Sequence, residues 1–494
     1  MKIAGIDIGT TGCKCSVYNE KGEFLEEEYK EYSIITTSKE HSINPEIVWN
    51  SVLEVLKRIA KKVSNISGIC VTSFGEASVL VDENDNSLMN SLLFTDPNGE
   101  DEYIDFINEF GIHNIYEKTG LMPGKMYSAI KWKWILNNRP DIFKKCKYIF
   151  LFEDYIVYKL SGVRQIDYSL ASRTMACNVE ELTWNNEILK WAGVEEKQLS
   201  KLVEMGSIAS NLKKELQYEL GFENEPVIIS GCHDQIAAAI GTGVLHNKMA
   251  VDGTGTVECI TTVFNKECEI DKEILSESGY AVVPYLKDRY VTYAFSYAGG
   301  ALLKWYRNEI SPLEAEKLQA EGKNPYEEYN KLINSDEPSN LLIYPYFAGA
   351  GTPLMNKDAK GMILGLSLDT TKGQIYQGLM EGASYEMKVN LDILDKAGIG
   401  VDKIYATGGG ASSQEWLQIK ADIYNKEVIS LGSTQSGTLG CIILAAVACG
   451  IYNNLEEASK EFIKYKNRYI PRKDMVLKYE KLFEEYKSIY RKLI

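Results

Sequence analysis

The chain has 494 residues, of which 25% are charged, 45% hydrophobic and 11% aromatic, a composition that excludes collagen, a disordered tail and a disulfide mini-scaffold. At roughly 100 to 200 residues per domain this length predicts two to four domains, and we take two. The net charge of -15 disfavours duplex DNA and anionic membranes as main partners.

The cysteines and the N-terminal segment indicate the cellular compartment in which the protein is expected. Ten cysteines lie singly along the chain without a CxxC pair, so we do not expect structural zinc. So many unpatterned thiols indicate a reducing compartment. MKIAGIDIGTT enters a strand-like run without the features of a secretory signal. The longest apolar run, 439–452, is shorter than the roughly 20 residues that span a bilayer. We therefore expect a cytoplasmic protein without a membrane partner, in which this run forms a buried helix.

Strand-like runs alternate with helical periodicity, which predicts an α/β protein with mixed sheets. The first helix is expected to begin at Pro45, with Asn44 as its N-cap and its apolar residues on one side. Further runs predict buried strands at 67–74, 225–231, 248–255, 339–347 and 401–409.

Two distant segments are similar to each other. AGIDIGTTGCKCSVYN, which contains Asp7, and MAVDGTGTVECITTVFN, which contains Asp252, both run from a strand through Asp and a Gly/Thr-rich turn into a second strand. Two related halves, each opening with a β-hairpin, explain the similarity. Chance is the alternative, because Gly-Thr turns are common and the match is short.

These turns are suited to phosphate. The turn Gly9–Gly12 presents backbone N–H groups and the hydroxyls of Thr10 and Thr11, and Lys14 adds a cation nearby. A single such turn is also compatible with a plain tight hairpin. Together with a second turn at Gly253–Gly255, it could clamp the phosphates of a nucleotide. Motifs of P-loop, Rossmann and protein-kinase sites are absent from the sequence.

Two further segments follow strands and open helices. In ISGCHDQIAAAIGTG, Asp234 is suited to be the N-cap of the helix. The alternative is that its carboxylate is fixed at the helix start and points into the same cleft as the hairpin turns. Gln235 beside it could then hydrogen-bond a polyol. In TGGGASSQEWLQIKADIY, three glycines let a flat ring lie against the backbone at a helix N-terminus. A plain connection needs fewer glycines, which favours a ligand.

Over nearly its whole length the sequence resembles the FGGY family of carbohydrate kinases. MYSAIKWKWILNN, residues 126–138, fits the family's first signature at every restricted position. GMILGLSLDTTKGQIYQGLME, residues 361–381, resembles the second, although Gly378 and Leu379 depart from it. The resemblance implies two actin-like (ribonuclease-H-like) α/β domains with an interdomain cleft. The first domain, 1–245, would hold the sugar, the first phosphate turn and the catalytic Asp, and the second domain, 246–494, would hold the nucleotide.

The resemblance also implies an ATP-dependent reaction and roles for residues. Asp234 would be the catalytic base, Gln235, Glu76 and Asp96 would contact or line the sugar site, and Asp7 would organise Mg²⁺ through water. The implied nucleotide contacts are Gly9, Thr10, Thr11, Lys14, Gly253, Thr254, Gly255, Gly299, Gly409, Gly410, Ser413 and Gln414. Homodimers are frequent in this family, so homodimerisation is a further expectation.

The acceptor side departs from the family pattern. Where many members have Trp-Asn-Asp-x-Arg, this chain has Phe-Thr-Asp-Pro-Asn at 94–98, without the arginine. Gly75 stands where glycerol kinases carry an arginine, and the Gln-Met-His segment of xylulokinases is absent. A small sugar or polyol is expected, with a ketopentose such as xylulose as the first choice and another ketose, polyol or aldonate as alternatives.

Phosphoryl transfer depends on positioning and charge neutralisation. An aspartate of ordinary pKa, roughly 3.9, is a weak base at neutral pH, so Asp234 is expected to orient the hydroxyl and accept its proton late. Two other functions remain open on this scaffold: a non-catalytic nucleotide switch, which does not call for Asp234 or Gln235, and a sugar-sensing pseudokinase, which the altered segment 94–98 would suit.

Overall fold

The computed structural model describes residues 1–432 and 435–493, and the chain divides into two compact units. The first consists of Met1–Leu245, Val282–Tyr290 and Gln435–Ile463. The second consists of His246–Ala281, Val291–Thr434 and Lys464–Ile494. The chain therefore returns to the first unit after most of the second has been built.

The first unit is built on a mixed sheet, as predicted. Its strand Lys2–Ile8 pairs antiparallel with Gly12–Asn19 and parallel with Gly68–Ser73. The strand order across the sheet is Ile208–Asn211, Val227–His233, Gly68–Ser73, Lys2–Ile8, Gly12–Asn19 and Phe24–Glu31. Short strands pair elsewhere in the unit: Ile35–Thr36, His41–Ile43 and Ser91–Leu92; Val79–Val81 with Tyr148–Phe150; Gln165–Asp167 with Lys201–Val203; and Cys177–Asn178 with Thr183–Trp184.

Helices cover this sheet and bury its apolar residues. The predicted first helix spans Pro45–Lys62, and the Asn44 side chain accepts a hydrogen bond from the backbone N–H of Glu46 at 2.9 Å. The apolar run near the C-terminus forms the buried helix Ser436–Ala448, which approaches the strand Lys2–Ile8 closely. The unit's other helices are Glu100–Phe110, Ile112–Thr119, Ser128–Asn138, Pro140–Lys145, Phe152–Ser161, Tyr168–Ser172, Asn186–Ala192, Lys214–Leu220, Asp234–Gly241 and Leu455–Phe462.

The second unit repeats the pattern of a hairpin beside a parallel strand. Its strand Lys248–Thr254 pairs antiparallel with Glu258–Asn265 and parallel with Val401–Thr407. Its sheet continues through Arg289–Ser296 on one side, and through Glu427–Leu431 and Tyr465–Tyr469 on the other. Its helices are Lys272–Glu277, Gly300–Trp305, Pro312–Ala320, Pro325–Asn330, Lys372–Lys396, Gln414–Tyr424 and Lys473–Leu493, and a separate hairpin pairs Leu342–Tyr344 with Met362–Leu364. The similarity between the two segments around Asp7 and Asp252 thus reflects the same local topology.

Candidate active site

The first hairpin turn carries a carboxylate beside a cation. Asp7 lies opposite Lys14 in the strand pairing, and the turn Gly9–Gly12 is closed by a 2.9 Å hydrogen bond between the backbone groups of its end residues. Burial raises the pKa of Asp7 to about 6, although the charge of Lys14 opposes the shift. Thr10 is half-buried and Thr11 is exposed, so both residues of the turn are accessible to solvent.

The buried strand Val227–His233 delivers Asp234 to the start of a helix. The N-cap of that helix is His233, so the expectation that Asp234 is the N-cap is wrong and Asp234 is instead the first helical residue. Its Oδ1 accepts a hydrogen bond from the backbone N–H of Gln235 at 2.6 Å and lies 3.2 Å from Nε2 of His233. The Asp234 side chain remains 34% exposed, which leaves it accessible to a small molecule.

The environment of Asp234 changes its acidity. Burial raises the pKa of Asp234 to about 7, and the negative charges of Asp7 and Glu76 add to the shift, while Arg173 opposes it. Asp7, Glu76 and Arg173 are therefore close enough to act electrostatically on Asp234. The expectation of an ordinary aspartate pKa is wrong here, because burial disfavours the ionised form and the neighbouring acids disfavour it further. A base with a pKa near the working pH is the more effective kind.

Glu76 and Arg173 form a buried ion pair in this group. Nε of Arg173 donates to Oε1 of Glu76 at 2.7 Å, and the Arg173 guanidinium lies 5.2 Å from the centre of the Tyr127 ring. Glu76 has a φ of 66°, in the left-handed region, and its carbonyl accepts a hydrogen bond from Ser128 at 2.5 Å. A Cβ at Gly75 would lie 2.8 Å from Cγ of Arg173. The space beside Gly75 is thus occupied by an arginine from another part of the chain.

A short helix fixes both Arg173 and His233. Asp167 caps the helix Tyr168–Ser172 by accepting from two of its backbone N–H groups, and Arg173 follows at its end. The backbone N–H of His233 donates to the hydroxyl of Ser169 in the same helix at 3.0 Å. Sequence reasoning missed both residues. The proximity of His233 to Asp234 in sequence was an available signal, whereas no local pattern marks Arg173.

The structure places Asp96 in an internal ion pair. Nζ of Lys131 donates to Oδ1 of Asp96 at 3.0 Å and to its backbone carbonyl at 2.9 Å. The other carboxylate oxygen accepts from the backbone N–H of His41 at 2.9 Å, and Oδ1 also accepts from that of Asn98 at 3.0 Å. These contacts stabilise the altered segment 94–98, and a direct contact of Asp96 with substrate stays a prediction.

In the second unit, several glycine segments converge on the second hairpin turn. The backbone N–H of Gly300 donates to the carbonyl of Gly255 at 2.8 Å, and that of Gly299 donates to the carbonyl of Thr256 at 3.0 Å. Gly408 has a φ of 82°, and a Cβ there would lie 2.6 Å from the carbonyl oxygen of Thr254. The structure therefore brings together the second turn, Gly299 and the glycines that follow strand Val401–Thr407.

The residues expected to border adenosine lie at the start of the helix Gln414–Tyr424. Ser413 caps this helix by accepting from the backbone N–H of Trp416 at 3.1 Å. A Cβ at Gly409 would meet no described atom within 4 Å, and Gln414 is exposed. Gly409 and Gln414 thus border open space, while the Ser413 hydroxyl serves the helix.

Residues 1–432 and 435–493 contain no group of three or more His, Cys, Asp or Glu side chains that is arranged to hold a metal ion. None of the helices in this described part has the length and apolar character needed to cross a bilayer.

Comparison with known proteins identifies the family. Residues 2–241 match the N-terminal domain, and residues 240–449 the C-terminal domain, of the FGGY family of carbohydrate kinases. The chain is 30% identical over 499 residues to a gluconokinase of Bacillus subtilis (strain 168), covering 99% of this chain and 95% of that protein. A xylulose kinase of the same organism is 27% identical, with 99% and 96% covered.

Solved structures agree. A gluconate kinase from Lactobacillus acidophilus superposes with a TM-score of 0.90 at 25% identity, and a ligand-bound xylulose kinase from the same species with 0.89 at 25%. Both comparisons cover 100% of this chain and 98% of the other. The chain belongs to the FGGY family of carbohydrate kinases, has its two-domain actin-like fold, and is a phosphotransferase that acts on small molecules.

Proposed function

We propose that this kinase transfers the γ-phosphoryl group of ATP to a hydroxyl of a small sugar or polyol, with Asp234 as the base. The observation that carries the proposal is the placement of Asp234: its side chain stands at the start of a helix and is 34% exposed. Burial, together with the charges of Asp7 and Glu76, raises its pKa to about 7. A carboxylate of this kind accepts the proton of an alcohol more readily than an ordinary aspartate. Glu76 and the exposed side chain of Gln235 are proposed to contact the hydroxyls of the acceptor.

Each of the two hairpin turns is proposed to be an element that binds nucleotide phosphate. Segment 1–245 would supply Gly9, Thr10, Thr11 and Lys14, and segment 246–494 would supply the second turn, Gly299 and the glycines at 409–410, with Ser413 and Gln414 beside adenosine. Asp7 offers the oxygen ligand that Mg²⁺ prefers, and Mg²⁺ usually takes one or two carboxylates together with substrate phosphates and waters. When bound, Mg²⁺ neutralises the charge of the phosphates.

Charge favours a neutral acceptor. Lys14 and Arg173 offset Asp7 and Glu76, so ionised Asp234 leaves this group with a net negative charge. A carboxylate on the substrate would be repelled, which favours a ketopentose such as xylulose over an aldonate. Gluconate is the second candidate, because the 30% identical relative is a gluconokinase.

A coupled ADP-release assay with D-xylulose, D-gluconate and glycerol tests the proposal. We expect acceptor-dependent ADP release, with the highest kcat/KM for D-xylulose. A higher kcat/KM for gluconate would overturn the charge argument and keep the kinase. Sugar binding without ADP release by any acceptor would instead support the pseudokinase, which the named kinases among the relatives do not favour. Homodimerisation and a cytoplasmic location stay predictions.

A further inference from the structure

A buried charged cluster lies beneath the second hairpin turn. The ammonium of Lys420, from the helix Gln414–Tyr424, donates to Oδ2 of Asp252 at 2.5 Å, to Oγ1 of Thr254 at 2.7 Å and to Oε1 of Glu258 at 2.9 Å. A lysine has three N–H donors, and these contacts occupy all three. The Lys420 side chain is 1% exposed, so its position is fixed by these contacts and by packing.

The cluster joins the two strands of the hairpin. Thr254 lies directly opposite Glu258 where the turn begins, and Asp252 lies two residues before Thr254 in the first strand. Lys420 therefore contacts acceptors on both sides of the turn. The Thr254 hydroxyl also donates to Oδ1 of Asp252 at 2.9 Å. Because this hydroxyl is engaged within the cluster, what the turn offers to a phosphate is its backbone.

The charges of the cluster are buried together. Two carboxylates share one cation without exposure to water, and the Lys420 ammonium also lies 4.9 Å from the centre of the Trp416 ring. Burial raises the pKa of Glu258 to about 7 against the effect of Lys420. Removal of the cation would leave Asp252 and Glu258 facing each other in a poorly solvated space, and such a pair separates or takes up a proton.

The other nucleotide segments rest on the residues that Lys420 holds. A Cβ at Gly410 would lie 2.6 Å from Cγ2 of Thr254, and one at Gly408 would lie 2.6 Å from its carbonyl oxygen. The carbonyl of Gly255 accepts the backbone N–H of Gly300. A shift of Thr254 would therefore be transmitted to each of these glycine segments, since their backbones are already in close contact.

We propose that Lys420 is the positioning residue of the second phosphate turn: it fixes Asp252, Thr254 and Glu258 so that the turn backbone is ready to receive nucleotide phosphate. This inference rests on the proposed nucleotide-binding function of the turn. It assigns no contact between Lys420 and the nucleotide. Lys420 acts by holding the backbone of the turn in its binding geometry, and a displacement of that backbone by about 1 Å is sufficient to weaken binding.

The test compares Lys420→Met with Lys403→Met, an exposed lysine of the strand Val401–Thr407 in the same unit. Titration calorimetry with MgADP and steady-state kinetics with varied ATP and varied acceptor are the measurements. We expect Lys420→Met to raise the Kd for MgADP and the KM for ATP by about ten-fold or more. The KM for the acceptor should remain within about two-fold, as should all three constants in Lys403→Met. A folded Lys420→Met protein with wild-type affinity for MgADP would overturn the proposal.

A second variant separates positioning from charge burial. Lys420→Met combined with Asp252→Asn and Glu258→Gln leaves no charge in this cluster, so it should fold even where the single variant does not. We expect its affinity for MgADP to remain about ten-fold weaker, and restored affinity would refute the role of Lys420. The calorimetry needs no acceptor. A wild-type protein that binds MgADP but phosphorylates no sugar would contradict the proposed function alone.

Discussion

Replacement of Asp234 by Asn removes the proposed base with little change in shape. Oδ1 of Asn can still accept the backbone N–H of Gln235, which lies 2.6 Å from that atom in Asp234. The neighbouring acids and Arg173 remain in place. The variant therefore isolates the ability of this side chain to take up a proton and carry charge.

The expected loss of activity is large. General-base catalysis contributes about 10² to 10⁴-fold, which corresponds to about 3 to 6 kcal/mol at roughly 1.4 kcal/mol per factor of ten. Because the pKa of Asp234 is raised to about 7, this side chain is poised for proton transfer near neutral pH. We expect kcat of Asp234→Asn to fall at least about 100-fold, while MgADP binding survives.

The same change should increase stability. The pKa of Asp234 rises from 3.8 to about 7 on folding, so between these pH values the folded state binds more protons than the unfolded state, and its stability falls as pH rises. A shift of this size would cost at most about 4 kcal/mol above pH 7. Since the side chain is 34% exposed, solvent screening reduces the expected cost to about 1 kcal/mol.

Activity and stability are measured on the same preparations. ADP release gives kcat, calorimetry gives MgADP affinity, and urea unfolding at pH 8 gives the free energy of unfolding. Asp402→Asn, an aspartate with a 65% exposed side chain, is the control and should match wild type in kcat. Unchanged turnover in Asp234→Asn would remove this residue from the mechanism. A loss of activity accompanied by lower stability would assign it a structural role instead.

Three further predictions concern the first unit. The kcat/KM for the acceptor should rise about ten-fold per pH unit below pH 7 and level off above it, because Asp234 must lose its proton; a flat profile from pH 5 to 8 would contradict this. Arg173→Met should move the acidic limb of this pH profile to higher pH, because the guanidinium lowers the pKa of Asp234. The same variant should raise the KM for the acceptor about ten-fold and leave the KM for ATP unchanged. An unshifted acidic limb would exclude an effect of Arg173 on Asp234. Lys131→Met should cost about 3 to 5 kcal/mol in urea unfolding, because it leaves the buried Asp96 carboxylate unpaired. The solvent-accessible ion pair of Lys118 with Glu187 provides the comparison, since Lys118→Met should lower the free energy of unfolding by less than about 1 kcal/mol. Equal losses in the two variants would mean that burial of the ion pair does not matter here.

Local sequence patterns were sufficient for the scaffold. Asn44 and Pro45 begin the first helix as predicted, because capping and the restricted φ of proline depend only on neighbouring residues. The two hairpins at Asp7 and Asp252 were recognisable for the same reason, since each strand and turn is specified within about 20 residues. The family resemblance then directed attention to Asp234. The comparisons confirm the family, whereas the individual site roles remain proposals.

Only the tertiary structure decided which distant side chains act on these segments. Arg173 and Glu76 are 97 positions apart in sequence, and Lys420 and Asp252 are 168 apart, so no periodicity or spacing could join them. The pKa of Asp234 likewise depends on burial and on charges from other strands and helices, which have no local signature. The sequence thus determined where backbone turns and the acid stand along the chain. Folding determined their electrostatic surroundings, because charges interact through space and not along the chain.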